Sequence, residues 1–309
     1  MGERQGDRAA TTMRAIRLGT AGGPEALSLE HVEIPPLLAG DALVHVHAAG
    51  ITRDELEWPI DRLPAIPSYE LSGTVSAVAG GVDGVDVGQD VFALTPFDRD
   101  GVAADYALVA AELLAPKPRT LDHVESAAIP MGSLTAWQAL FVHGGLEEGQ
   151  RVLVTGAAGG VGHLGVQLAR HRGAHVIGIT SPSGVDIVKS SGADEIHERT
   201  VVLAGELEPV DLVFDTVGGD LLARAPALVR DGGRIVTVAE EPPEGIDAVY
   251  FVVEPDREQL AEIGRLADAG DLRPEIDSVF SLTEAPRAFE RSMVTGKSGK
   301  VVIRVVEDA

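Results

Sequence analysis

Hydrophobic and polar positions along the chain follow two different periods. Through the first third, short runs alternate with a period of two: MRAIRLG at 13–19, LSLEHVEI at 27–34, DALVHVHAAGI at 41–51, ELSGTVSAV at 70–78, DVFALT at 90–95 and ADYALV at 104–109. Short strands with Gly and Pro between them predict a small barrel or sandwich. From Arg151 the pattern changes. Apolar strands at RVLVTG (151–156), HVIGIT (175–180), EIHER (195–199), DLVFDTV (211–217), RIVTVA (234–239) and AVYFVV (248–253) alternate with helical stretches at 161–171, near 184–191, near 220–230 and at 256–269. Such alternation predicts a parallel, doubly wound sheet. The stretch 279–305 ends in one more β-branched strand, and no repeat or low-complexity segment interrupts the pattern.

Composition narrows the function classes. At 309 residues, 45% hydrophobic and 24% charged, the chain is long enough for two domains and has the make-up of a globular protein. No apolar run approaches the roughly 18 residues of a membrane helix. The opening MGERQGDRAATT lacks the apolar centre of a signal peptide and fails the myristoylation pattern at Gly6, so residues 1–12 are expected to be a loose tail and the protein cytoplasmic. The net charge of −23 opposes phosphate backbones, and no basic patch is visible, so neither nucleic acid nor membrane is an expected partner. The absence of cysteine excludes disulfides, thiolate zinc sites and a cysteine nucleophile.

The chemistry begins at VLVTGAAGGVGHLGVQLAR, 152–170, a strand, a glycine turn and a helix. Ala157 stands where the first glycine of G-x-G-x-x-G would be, and Gly156 can relieve the turn that Ala157 would tighten. Gly159 lets the backbone approach a pyrophosphate, Gly162 lets the helix pack on the sheet, and Gly160 and Val161 complete the turn into the free N–H groups of the helix.

With these residues in place, the sequence resembles the zinc-independent quinone oxidoreductase branch of the medium-chain dehydrogenase/reductase superfamily, from about Met13 to Val306. The likeness is carried by GGPEALSLEHVEIP, DALVHVHAAGIT, ELSGTVSAV, AAIPMGSLTAWQAL, GQRVLVTGAAGGVGHLGVQLA, DLVFDTVGGD, GGRIVTVA, YFVVEPDREQL and SGKVVIRV. It implies an α/β protein. A GroES-like β-barrel catalytic domain (13–127 and 275–309) would be interrupted by a Rossmann domain (128–274), with the active site between them. It also implies that Thr135 and the backbone around Ala239 and Phe251 to Val253 lie near the nicotinamide.

Zinc-dependent members hold catalytic zinc with Cys, His and Cys. The matching positions here are Thr52, Tyr69 and Met131, none of them a normal zinc ligand. Reduction of a quinone or conjugated carbonyl needs a metal less, because the substrate delocalises the charge. The hydroxyls of Thr52 and Tyr69 are the expected donors to its carbonyl oxygen. His45 and His47 share a strand face without a third ligand. TGKSGK, 295–300, lacks the upstream glycine of a P-loop and reads as a turn, and no G-x-S-x-G elbow supports hydrolase chemistry.

The expected cofactor is NADPH. An NAD site places Asp or Glu at the end of the second strand, whereas here that strand runs into TSPSG and no carboxylate appears before Asp186. Thr180, Ser181 and Ser183 offer hydroxyls to a 2′-phosphate, and Lys189 or Arg199 the charge. The expected substrate is a small quinone or enone, and a homodimer is admitted. Two alternatives stay open: an enoyl-thioester reductase, although no Tyr lies between Ile51 and Ser68 where such enzymes place a proton donor, and a non-catalytic NADPH-binding protein.

Overall fold

The computed structural model describes residues 11–200 and 207–307. Residues 1–10, most of the expected tail, lie outside this range, while Thr12 already belongs to the first strand.

Strands β1 (Thr12–Leu18) and β2 (Leu27–Glu33) form an antiparallel ribbon. A seven-stranded sheet follows, from β3 (Asp41–Ile51), β4 (Glu70–Val78), β5 (Asp90–Leu94), β6 (Tyr106–Ala110) and β7 (Ala115–Pro116). In β3 the side chains of Ala42, Val44 and Val46 are buried while Leu43, His45 and His47 are only partly so, which is the period-two pattern of the sequence. On that second face His47 stacks on His123, 4.1 Å between ring centroids, and His45 on Tyr106 at 5.1 Å.

The second sheet consists of β8 (Arg151–Thr155), β9 (His175–Thr180), β10 (Glu195–Glu198), β11 (Val210–Asp215), β12 (Val229–Thr237) and β13 (Val249–Tyr250). Every pairing is parallel, in the order β10-β9-β8-β11-β12-β13. This is the doubly wound Rossmann order, whose direction reverses between β8 and β11 and opens a crevice there. Asp215 holds that crevice in shape: fully buried, it accepts from Thr155 Oγ1 at 2.7 Å, Thr237 Oγ1 at 2.9 Å and Gly218 N at 3.0 Å. The chain then returns. Strands β14 (Ile276–Ser281) and β15 (Lys300–Arg304) join the first sheet, β15 antiparallel to β3, with helix Ala285–Met293 burying Ala288 and Phe289 against the barrel core. The architecture is the GroES-like barrel plus Rossmann sheet that the sequence implied. AVYFVV gives only a two-residue strand, and the helix near 220–230 is shorter, Gly219–Arg224.

Candidate functional site

A cleft of about 720 Å³ lies between the two sheets, lined on one side by the glycine turn and on the other by the barrel. Gly156 adopts φ +61°, and a Cβ there would meet Thr216 Oγ1 at 2.5 Å, so the turn is closed to any side chain at that point. A Cβ on Gly162 would stand 2.2 Å from Gly156 O, which is why the helix can start where it does. Gly159 is different: its nearest neighbour would be Gly156 O at 3.1 Å, and beyond it the cleft is open. Gly159, Gly160 and Val161 line the cleft, and the helix Gly162–His171 begins behind them with no side-chain cap, which turns its positive end toward the cleft.

The turn is fastened from behind. His163 is buried; its Nδ1 donates to Gly159 O at 2.7 Å and its Nε2 accepts from Glu275 N at 2.9 Å. Burial pushes its pKa down to about 4, so it is neutral, with the proton on Nδ1 as this pattern requires. Gly299 N also donates to Ala158 O at 3.1 Å, which lays the 295–300 loop against the turn.

The barrel wall is set by sheet register. Val301 pairs with Ile51, and Gly50 with Glu70, so Lys300, Thr52 and Glu70 meet at one end of the sheet. The Lys300 ammonium contacts Glu70 Oε1 and lies 3.3 Å from Thr52 Oγ1. Thr52 donates toward Met131 Sδ at 3.0 Å, and Met131 N donates to Glu70 Oε2 at 2.9 Å. Glu55 is wholly buried behind them; its Oε2 accepts from Thr52 N at 3.0 Å, and its Oε1 has no partner. Burial pushes the Glu55 carboxyl up to about 8. Toward the mouth, the rings of Trp58 and Phe97 line the cleft, 4.9 Å apart.

Most of the residues singled out in the sequence meet here. Thr52, Thr135, Gly156, Gly159, Gly160 and Val161 line the cleft, as do Thr180 and Ser181 at its far side and Ala239, Phe251 and Val253 along β12 and the segment beyond β13. Ala157 and Gly162 are buried supports of the turn. Ser183 is exposed, 3.0 Å from Ser181 Oγ.

Three expectations need correction. Tyr69 has no exposed surface; it packs behind Trp58 and Phe97 with its hydroxyl unpartnered, because Ser68 turns the backbone at φ +68° and it is Glu70, one residue on, that faces the Thr52 end of the cleft. Lys189 does not line this cleft; it opens into a separate hollow with Arg170 and Gly192. Arg199 pairs with Asp220 at 3.0 Å, so its charge is engaged. The sequence reading missed Glu70, Glu55, Lys300 and Lys297. Lys297 and Lys300, which line the cleft, sit in the TGKSGK stretch read only as a turn.

Residues 38–119 match the alcohol dehydrogenase GroES-like domain, and residues 191–303 the zinc-binding dehydrogenase family. The chain is 34% identical to a probable zinc-binding mitochondrial oxidoreductase of Arthroderma benhamiae, over 86% of this chain and 89% of that protein. It is 31% identical to a 2-methylene-furan-3-one reductase of Solanum lycopersicum, over 95% of this chain and 79% of the relative. Among solved structures it is similar to the quinone oxidoreductase of Coxiella burnetii, with a TM-score of 0.89 and 28% identity, over 96% of this chain and 100% of that one.

Proposed function

The chain belongs to the medium-chain dehydrogenase/reductase superfamily of nicotinamide-dependent oxidoreductases, and we propose that it is an NADPH-dependent reductase of quinones or α,β-unsaturated carbonyls that works without zinc. The observation that carries this reading is the occupant of the family's metal position. The donors there are a threonine hydroxyl, a methionine thioether and the Glu70 carboxylate, and a lysine ammonium already contacts that carboxylate. This set does not fit zinc, which takes thiolate, imidazole or free carboxylate ligands. It fits a substrate whose own conjugation spreads the incoming charge, and whose carbonyl oxygen needs only a hydrogen-bond donor. Thr52 is that donor.

The cofactor fits the opposite wall: the open face of Gly159, the N–H groups beyond it and Lys297 suit a pyrophosphate. When bound it supplies a hydride. Thr180 and Ser181 bring hydroxyls and no carboxylate to the ribose end, which favours a 2′-phosphate. Trp58 and Phe97 offer flat apolar walls to a conjugated ring and help exclude water.

The test follows NADPH absorbance with a quinone, a 2-alkenone and a saturated aldehyde. Turnover of either conjugated substrate without added metal is expected. Turnover of the saturated aldehyde alone, stimulated by zinc, would overturn the reading. The ratio of kcat/KM for NADPH over NADH should exceed one, and a ratio at or below one removes the cofactor assignment.

A further inference from the structure

Lys300 is 5% exposed, one of four lysines in the chain, and its ammonium has two neighbours: the fully buried Glu70 carboxylate and the Thr52 hydroxyl at 3.3 Å. A buried ion pair needs no hydroxyl beside it. Here the hydroxyl lines the cleft beside Lys300, and the state of its proton is unusual. Thr52 Oγ1 receives an N–H from the ammonium and sends its own proton toward the Met131 thioether, a weak acceptor. Glu70 Oε1, which also holds the Lys300 ammonium, is the second acceptor within reach of the same proton, at 3.4 Å. A hydroxyl that accepts from a cation becomes a stronger donor. A carbonyl oxygen entering the cleft is a better acceptor than a thioether and would displace it.

We propose that Lys300 supplies a proton through Thr52 to the carbonyl oxygen of the substrate as it is reduced, the inference resting on the reductase reading above. Hydride adds to the β carbon of the enone. The C=C π pair becomes the new double bond between the α carbon and the carbonyl carbon, and the carbonyl π pair moves to oxygen. The Thr52 O–H bond breaks as the substrate O–H bond forms, and a Lys300 N–H bond breaks to restore the threonine hydroxyl. Lysine is left as the neutral amine and is recharged by a proton from water. The product is an enol that tautomerises to the saturated ketone, so one hydride and one proton account for the two-electron reduction. In this path Lys300, although it also lines the cleft, acts through Thr52 as a positioning residue rather than on the substrate directly.

The test uses the full chain with NADPH and the best conjugated substrate. Lys300→Arg keeps a cation against Glu70, but a guanidinium does not give up its proton, so kcat should fall about 100-fold while the KM for NADPH holds. Lys300→Met paired with Glu70→Gln removes charge and counter-charge together, and Thr52→Val removes the link; each should cost a similar factor in kcat. The triple variant should be no slower than either, because both act on one proton path. Wild-type kcat in Lys300→Arg, or losses that multiply in the triple variant, would overturn the relay. So would a loss of NADPH affinity equal to the loss in kcat. Absence of wild-type turnover with every conjugated substrate would overturn the reductase reading itself, whereas wild-type turnover that the variants match would overturn only the relay.

Discussion

The two walls of the cleft are built on opposite plans. The Rossmann wall is backbone: within seven consecutive residues, Gly156 to Gly162, four glycines leave room where a phosphate or a neighbouring segment must come close. The barrel wall is side chains: Thr52, Glu70, Met131 and Lys300, brought together from distant stretches by the register of three strands. The first plan is local and unforgiving of added volume. The second is tolerant of volume and unforgiving of unbalanced charge. The same cleft therefore has two modes of failure, and substitutions can tell them apart.

The largest effect is expected at Gly162. A valine there would press on the backbone of Gly156 and Ala157, which cannot yield, at a cost of roughly 3 kcal/mol or more; thermal melting should show a lowered Tm or no folded protein. Gly159→Val, three residues earlier, points into open cleft. It should melt within a few degrees of wild type yet lose at least about 100-fold in NADPH affinity by calorimetry, since the backbone can no longer approach the phosphates. Wild-type affinity in Gly159→Val would remove the phosphate role from this wall.

Next in size is the charge on the other wall. Glu70→Gln alone leaves the Lys300 ammonium buried without its counter-ion and should cost about 3 to 5 kcal/mol in urea unfolding, most of it recovered when Lys300→Met is added. Failure of the second substitution to rescue the first would mean that packing, not charge, governs this wall.

Glu55 gives a smaller, pH-dependent effect. Its folded pKa, about 8, lies above the ordinary 4.5, so the folded state holds the extra proton between those values. Its contribution is fully present below pH 4.5, declines as pH rises from there, and is lost once pH has passed through about 8. Glu55→Gln should flatten the fall of Tm between about pH 4.5 and 8. An unchanged slope would show that Glu55 does not carry it.

The smallest effect is expected at Tyr69. Its hydroxyl is buried and unpartnered, so Tyr69→Phe should leave kcat and KM as they are and change stability by less than about 1 kcal/mol. A drop in turnover would return Tyr69 to the chemistry.

What the sequence revealed follows the same division. The glycine turn was legible because its logic is contiguous: strand, turn and helix stand in order, and every glycine has a local reason. Thr52 was legible as a matched position. Glu70 was not, since a strand presents alternate residues to opposite sides and nothing in the sequence says which of two neighbours meets Thr52 and Lys300. Lys300 escaped because nothing near it in sequence indicates that Val301 lies opposite Ile51, and a lysine beside glycines reads as solvated. Lys189 misled for the converse reason: a residue close to the turn in sequence opens into another hollow, which sequence distance does not show.

The return of the chain to β3 also has a consequence for how the protein is made. The Rossmann strands from Arg151 to Tyr250 pair almost wholly with sequence neighbours and can assemble as they leave the ribosome. The barrel cannot. Until Lys300 to Arg304 are synthesised, one edge of β3 stays unpaired along Ala48 to Ile51, the other being held by β4, and the Glu70 carboxylate has no cation to accompany it into the interior. The last strand thus closes the sheet edge, neutralises the buried acid and delivers the residue assigned to proton supply in one event, and a nascent chain stopped short of it would keep an open edge and a hydrated acid.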